Sequence, residues 1–328
     1  MKNLVLPSSL FLLSSVLQGQ ITIGDNLLLE GAGSFGYVSQ DSTAAGEAHN
    51  LNFQELIFEV GLDLGKVTAE VQFKLGDGDA DMDAVFFNYL YNETITFSAG
   101  RLHSSLLYEE IHLTKRLMRA RSQTLLAEIV PSVNTGLRGV ADMEKGWFGV
   151  SWTDKLWDQP LGRTDSFSGG DGSVEVQLGF RPFDGVEIAM AYGGQDSGEA
   201  GPNGQIWDIW ASLEGDRHLL VAEYVDFENS GAQDTNADSV LATSEYLTGK
   251  MYMLLGSYKT TENSSMSVRF SHEEQDGVQE AFQWTFTPAY EFGDHLTLRT
   301  EFSHATRETV GSADVEIDTV SVEGLFRF

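Results

Sequence analysis

Apolar and polar residues alternate with a period of two along almost the whole chain, and this pattern confines it to β-structure. Val67, Ala69, Val71, Phe73 and Leu75 interleave with Thr68, Glu70, Gln72 and Lys74. Val174, Val176, Leu178 and Phe180 interleave with Glu175, Gln177, Gly179 and Arg181. The same holds for Met266, Val268 and Phe270 against Ser267, Arg269 and Ser271, and for Leu296, Leu298 and Phe302 against Thr297, Arg299 and Glu301. Successive strand side chains point to opposite faces, so each segment has one continuous apolar face and one polar face. A transmembrane barrel, apolar toward lipid and charged toward water, accounts for this, and so does a secreted sandwich with one face in solvent.

Composition narrows the class. The chain has no cysteine, so it offers neither disulfides nor thiolate metal ligands. Its 34 glycines against 6 prolines suit many strands and tight turns. A formal charge of −29 excludes nucleic acid as a partner, because both surfaces would repel. Mean hydropathy is −0.17, and no stretch beyond the N-terminus approaches the length of a membrane helix. A barrel gives such an average, since lumen-facing polar residues cancel lipid-facing apolar ones. At the N-terminus, Met1-Lys2-Asn3 precedes an apolar run from Leu4 to Leu17 and then Gln18-Gly19-Gln20. One positive charge, a short apolar core and a small residue near its end predict a secretory signal over residues 1–19, cleaved near Gly19, with the barrel over 20–328.

Strand placement favours the barrel. Alternating segments fall near 26–39, 51–63, 66–76, 83–92, 94–102, 136–143, 147–154, 173–183, 185–193, 204–214, 217–227, 245–259, 264–272, 281–291, 295–305 and 314–328. Short connections alternate with longer ones at 40–50, 77–82, 103–135, 155–172, 194–203, 228–244, 273–280 and 306–313. An antiparallel barrel of about sixteen strands with both termini at the periplasmic end requires that arrangement. The last strand, with Val320, Val322, Phe326 and Phe328 on one phase, resembles the closing strand of bacterial outer-membrane barrels, in which a terminal Phe acts as an assembly signal. Trp147, Trp152, Trp207 and Trp284 are expected in the aromatic girdles at the membrane boundaries.

The third long connection, 103–135, is unlike the others. Leu106, Leu107, Ile111, Leu113, Leu117, Met118, Leu125, Leu126, Ile129 and Val130 are too apolar for an exposed loop, and Tyr108 to Val130 contains neither Gly nor Pro. The segment reads as partly helical and folded against something, and the inner barrel wall is the nearest apolar shelter. An external helical hairpin capping the mouth is the alternative.

The strand Ile95-Thr96-Phe97-Ser98-Ala99-Gly100-Arg101-Leu102, the long loop, and the return Asn134-Thr135-Gly136-Leu137-Arg138-Gly139-Val140 together resemble the general bacterial outer-membrane porins, and are loosely similar to the phosphate-selective O/P-type porins. The Ile23-Gly24-Asp25 opening is similar to porins too. The resemblance implies a sixteen-stranded, usually trimeric channel for small hydrophilic solutes and ions, with the third loop narrowing the pore and outer-membrane lipid and lipopolysaccharide around it. Phosphate specificity is not carried over, because the O/P-type channels use Lys- and Arg-rich ladders and lysines are sparse here.

Expected constriction residues follow from the loop and its flanks: Arg101, Glu109, Glu110, Lys115, Arg116, Arg119, Arg121 and Arg138. On a helix Lys115 and Arg119 are i,i+4 neighbours and Arg116 and Arg119 are i,i+3, giving a basic face. Such a face either sets an anion-favouring field across the pore or clamps the loop to the wall through salt bridges. Elsewhere the external loops are acidic. Asp77, Asp79 and Asp81 have the spacing that opens an EF-hand, but Met82 and Asn88 stand where that loop needs Gly and Glu, so no metal site is expected, nor any cofactor. The seven histidines form no His-Glu-x-x-His pair, and there is no Gly-x-Ser-x-Gly elbow. A passive channel is therefore the expected function. A closed structural or adhesive barrel and an outer-membrane hydrolase are the alternatives.

Overall fold

The computed structural model describes residues 21–23, 26–76, 79–108, 133–154, 156, 172–195, 203–230 and 247–327. Its strands are β1 (Ile21–Ile23), β2 (Leu27–Ser42), β3 (Gly46–Asp63), β4 (Val67–Gly76), β5 (Asp79–Leu90), β6 (Ile95–His103), β7 (Val133–Met143), β8 (Gly146–Thr153), β9 (Ser173–Phe183), β10 (Val186–Gln195), β11 (Gly204–Glu214), β12 (His218–Ser230), β13 (Leu247–Lys259), β14 (Ser264–Gln275), β15 (Gln279–Phe292), β16 (Leu296–Thr309) and β17 (Val315–Arg327). Strands β2 to β17 pair antiparallel with their sequence neighbours, and β17 pairs back onto β2 from Ile317↔Ser42 to Arg327↔Ala32. The result is a closed barrel of sixteen strands. The short β1 folds back beside β2, with Ile21 opposite Leu29. Closure leaves no unpaired sheet edge, which a membrane-spanning sheet cannot tolerate.

The sequence alternation becomes an inside-out distribution. Phe35, Phe97, Leu137, Trp152, Phe180, Trp207, Leu254, Phe270, Trp284, Phe302 and Phe326 are exposed on the outer face. Between them Ser151, Glu175, Asp208, Arg269, Glu301 and Glu323 turn inward and are buried. A soluble protein inverts this arrangement; a barrel in lipid requires it. The short turns and the end of β17 lie together at one end, the periplasmic side of such barrels.

Two expectations need correction. Trp147 is not in the outer girdle: it is 7% exposed, and its indole Nε1 donates inward to Glu187 Oε1. Trp147 and Trp152 are an odd number of residues apart on one strand, so they cannot share a face. The strict alternation of short and long connections also fails. The ladder runs on until Ser42 pairs with Gly46, Gly76 with Asp79 and Gln275 with Gln279, and β16 reaches Thr309. Gly46 and Gly277 supply the positive φ values (78° and 70°) that such tight turns need. Residues 43–51 are exposed apart from backbone pairing, because these hairpins project where both faces meet water. Hydropathy alternation stops at the membrane boundary, while hydrogen bonding does not. The connections that remain long are 104–132, 154–172, 196–203 and 231–246.

Residues 1–20, with the expected signal, lie outside the described residues, as do 109–132, which carry most of the third connection.

Candidate functional site

The inner wall is not uniformly polar. On β10 to β13 the inward positions Ala191, Ile206, Val225, Phe227 and Met251 form a buried apolar patch near the long-loop end. Val221, Met253 and Leu255 continue it toward the periplasm. An apolar surface turned into a barrel lumen needs a cover, and the start of the third connection supplies one. After β6 the chain turns inward, and Leu106, 3% exposed, packs on the patch with Leu156 from the next long connection. Leu107 packs beside them, and Tyr108 adds a ring contact with inward-facing Trp210 at 5.1 Å between centroids.

Wall carboxylates fix this stretch by its polar groups. The Ser105 hydroxyl donates to Glu175 Oε2, and Gln177 Nε2 donates to the Ser105 carbonyl at 2.7 Å. The Leu107 amide donates to Asp208 Oδ2 at 2.9 Å, and the Tyr108 amide donates to Glu223 Oε1 at 2.6 Å. Charge-assisted bonds of this kind are about twice as strong as neutral ones. They hold Leu107 at φ 72°, a left-handed conformation that costs a branched side chain about 1–3 kcal/mol. Strain at the entry to an inward-turning segment is tolerated because the surrounding contacts determine it.

Arg138 sits at the base of the same segment. Its Nη2 donates to the His103 carbonyl at 2.7 Å and its Nε donates to Ser151 Oγ at 2.8 Å, with Glu175 Oε2 3.9 Å away. Arg101, by contrast, is in register with Val85 and Thr135, in the alternation phase of exposed Phe97 rather than that of Arg138. The structure therefore does not bring the two arginines onto one face. Glu109, Glu110, Lys115, Arg116, Arg119 and Arg121 lie outside the described residues. Among the described residues no group of His, Asp and Glu could hold a metal ion.

Continuing round the barrel from β13, β14 to β17 carry a polar wall. Arg299 pairs with Glu323 directly opposite it, Thr287 donates to Glu301, and Arg269 donates to Gln283. All are buried.

The sequence profile of one family, described as "Putative beta-barrel porin-2, OmpL-like", matches residues 55–328. The chain belongs to that porin family. No curated protein sequence matches this porin. Among solved structures, it is similar to the outer membrane channel DcaP of Acinetobacter baumannii, with a TM-score of 0.68 at 10% identity over 94% of this chain and 99% of that one. It is similar also to an anion-selective porin from Comamonas acidovorans, with a TM-score of 0.63 at 12% identity over 92% and 99%. A third is OmpT, an outer membrane protein of Vibrio cholerae solved in a trimer form, with a TM-score of 0.61 at 10% identity over 93% and 100%. At these identities the likeness is one of fold. Family and fold together make this porin an outer-membrane channel protein.

The wall residues that grip the third connection, Glu175, Asp208 and Glu223, were not among the expected site residues. A signal for their neighbourhood is present in the sequence. In β12 and β13, Val221, Val225, Phe227, Met251, Met253 and Leu255 are apolar on the phase opposite Leu220, Tyr224, Tyr252 and Leu254. A porin strand apolar on both phases must have protein, not water, against its inner face.

Proposed function

We propose that the porin is a passive, non-enzymatic channel for small hydrophilic solutes and ions, constricted by the connection after β6. The observation that carries this reading is the inward turn of Ser104 to Tyr108 onto the lumen wall, fixed by Glu175, Asp208 and Glu223. Residues 109–132 continue from that anchor, and Glu109, Glu110, Lys115, Arg116, Arg119 and Arg121 are proposed constriction residues. The wall where the segment begins is acidic, which favours clamping of the loop's cations by wall carboxylates over an anion-selecting field. The likeness to O/P-type porins is limited to the strand–loop–strand motif, and phosphate specificity is not part of the proposal.

We infer a homotrimer surrounded by outer-membrane lipid and lipopolysaccharide. The trimer form in which OmpT was solved supports it, and crosslinking that stops at monomer in native membranes refutes it. Residues 1–19 are proposed as the export signal. Single-channel recording in planar bilayers tests the function: a porin gives stable ohmic steps, whereas a closed structural barrel gives none.

A further inference from the structure

Side-chain exposure inside a barrel reports nearness to water-filled space, and chemically identical residues at equal depth remove side-chain size and chemistry from the comparison. Thr68 is the second residue of β4 from the periplasmic end, and Thr297 is the second residue of β16 from the same end. Both point inward, yet Thr68 is half-buried while Thr297 is 9% exposed. Ser98 and Ser267 are each the fourth residue of their strands, β6 and β14. Ser98 is half-buried and Ser267 is 2% exposed. On β16 and β17 burial continues down to Thr297 and Glu323, whereas on β3, β4 and β5 the lower inward positions Glu59, Thr68, Glu70 and Asn88 are half-buried. Thr96 on β6, 7% exposed, is an exception on that side, and Ser265 and Glu291 near the rim of β14 and β15 are exceptions on the other.

Polar groups line the open side. The Asn88 amide donates to Thr68 Oγ1 at 3.2 Å, and the Ser98 hydroxyl donates to Asn88 Oδ1 at 2.6 Å, forming a ladder across β4, β5 and β6. Beside it Glu30 stands directly opposite Glu59, and Glu59 opposite Gln72. Glu70, two residues before Gln72 on the same face, is a diagonal neighbour of Glu59, about 7–8 Å away in such pairings. Glu30, Glu59 and Glu70 are all half-buried. Among the described residues of β3 to β7 the inward cations are Lys74 and Arg138, and Arg138 has Glu175 beside it.

We infer that the permeation path is eccentric: solute passes against the β3–β7 wall, along Thr68, Asn88 and Ser98, and Glu30, Glu59 and Glu70 make it prefer cations. The inference rests on the channel reading above. Charges within a narrow passage are screened much less than charges in bulk salt, so this strip outweighs the acids of the distant mouths.

The chain has no cysteine, so single cysteines can be read without background. Thr68→Cys, Ser98→Cys, Thr297→Cys and Ser267→Cys are each recorded in planar bilayers during exposure to a cationic methanethiosulfonate reagent. Thr68→Cys and Ser98→Cys should lose conductance stepwise, and the depth-matched pair should not respond. Modification of Thr297→Cys or Ser267→Cys with an equal or larger conductance loss overturns the eccentric path, as does silence of all four. For the charge, Glu59→Gln/Glu70→Gln should move the reversal potential in a KCl gradient toward the non-selective value. An unchanged potential overturns the selectivity role. Absence of any channel activity in the unmodified protein defeats the porin reading itself, which separates the two failures.

Discussion

Arg138 locks the base of the third connection by donating to the main-chain carbonyl of His103 at 2.7 Å, from one strand to the last residue of its neighbour. The second bond, to Ser151 Oγ, ties the same guanidinium to the third strand of the group. One planar fork therefore sets the angle at which the chain leaves β6 and turns inward.

Replacing that fork with a point charge should loosen the turn without removing the charge. Arg138→Lys loses at least one of the two directed bonds, each worth about 1.5–3 kcal/mol for a charged donor. The expected result is a noisier open-channel current and a lower urea midpoint, with reversal potential nearly unchanged. A quiet channel of full stability would show that the fork is dispensable.

The carboxylates that hold Leu107 and Tyr108 can be tested by separating acceptor from charge. Asp208→Asn and Glu223→Gln keep an oxygen acceptor for each amide, whereas Asp208→Ala leaves the Leu107 N–H without Asp208 Oδ2. An unsatisfied buried donor costs about 1–3 kcal/mol. The temperature at which the barrel loses its folded mobility on cold gels should drop for the alanine variant and change little for the amides.

The apolar patch inside the lumen should behave as a core. Phe227 and Leu106 are buried in one cluster, so Phe227→Ala should cost about 3–5 kcal/mol and Leu106→Ala about 2–5 kcal/mol. Because they belong to one cluster, the double variant should be less destabilised than the sum of the singles. Additive losses in a double-mutant cycle would place Leu106 elsewhere.

Close strand packing gives a sharper test. A Cβ added to Gly136 would lie 2.1 Å from the Trp152 carbonyl oxygen, a backbone atom that cannot move aside, while at Gly149 the nearest atom is the end of the Gln177 side chain at 3.4 Å. Gly136→Ala should cut refolding yield into detergent severely, and Gly149→Ala should refold almost as the parent does.

Most of the barrel was legible in the sequence, since the period-two pattern needs no partner to be read: lipid on one side of a strand and polar lumen on the other impose it locally. Segments such as 173–183, 204–214 and 264–272 therefore match β9, β11 and β14 closely. The pattern gave out where both faces meet the same medium. At 43–50 both faces meet water, and a paired hairpin read as a loop. In β12 and β13 both faces are largely apolar, Glu223 apart, and the seat of the inward-turning segment read as ordinary strands. Arg101 and Arg138 looked alike as basic residues flanking one loop, yet an odd offset in register puts them on opposite phases. Which strands meet Leu106, Leu107 and Tyr108, and which inward threonine or serine sees water, depends on what stands across the lumen many strands away. Those are non-local contacts, and only the closed barrel decides them.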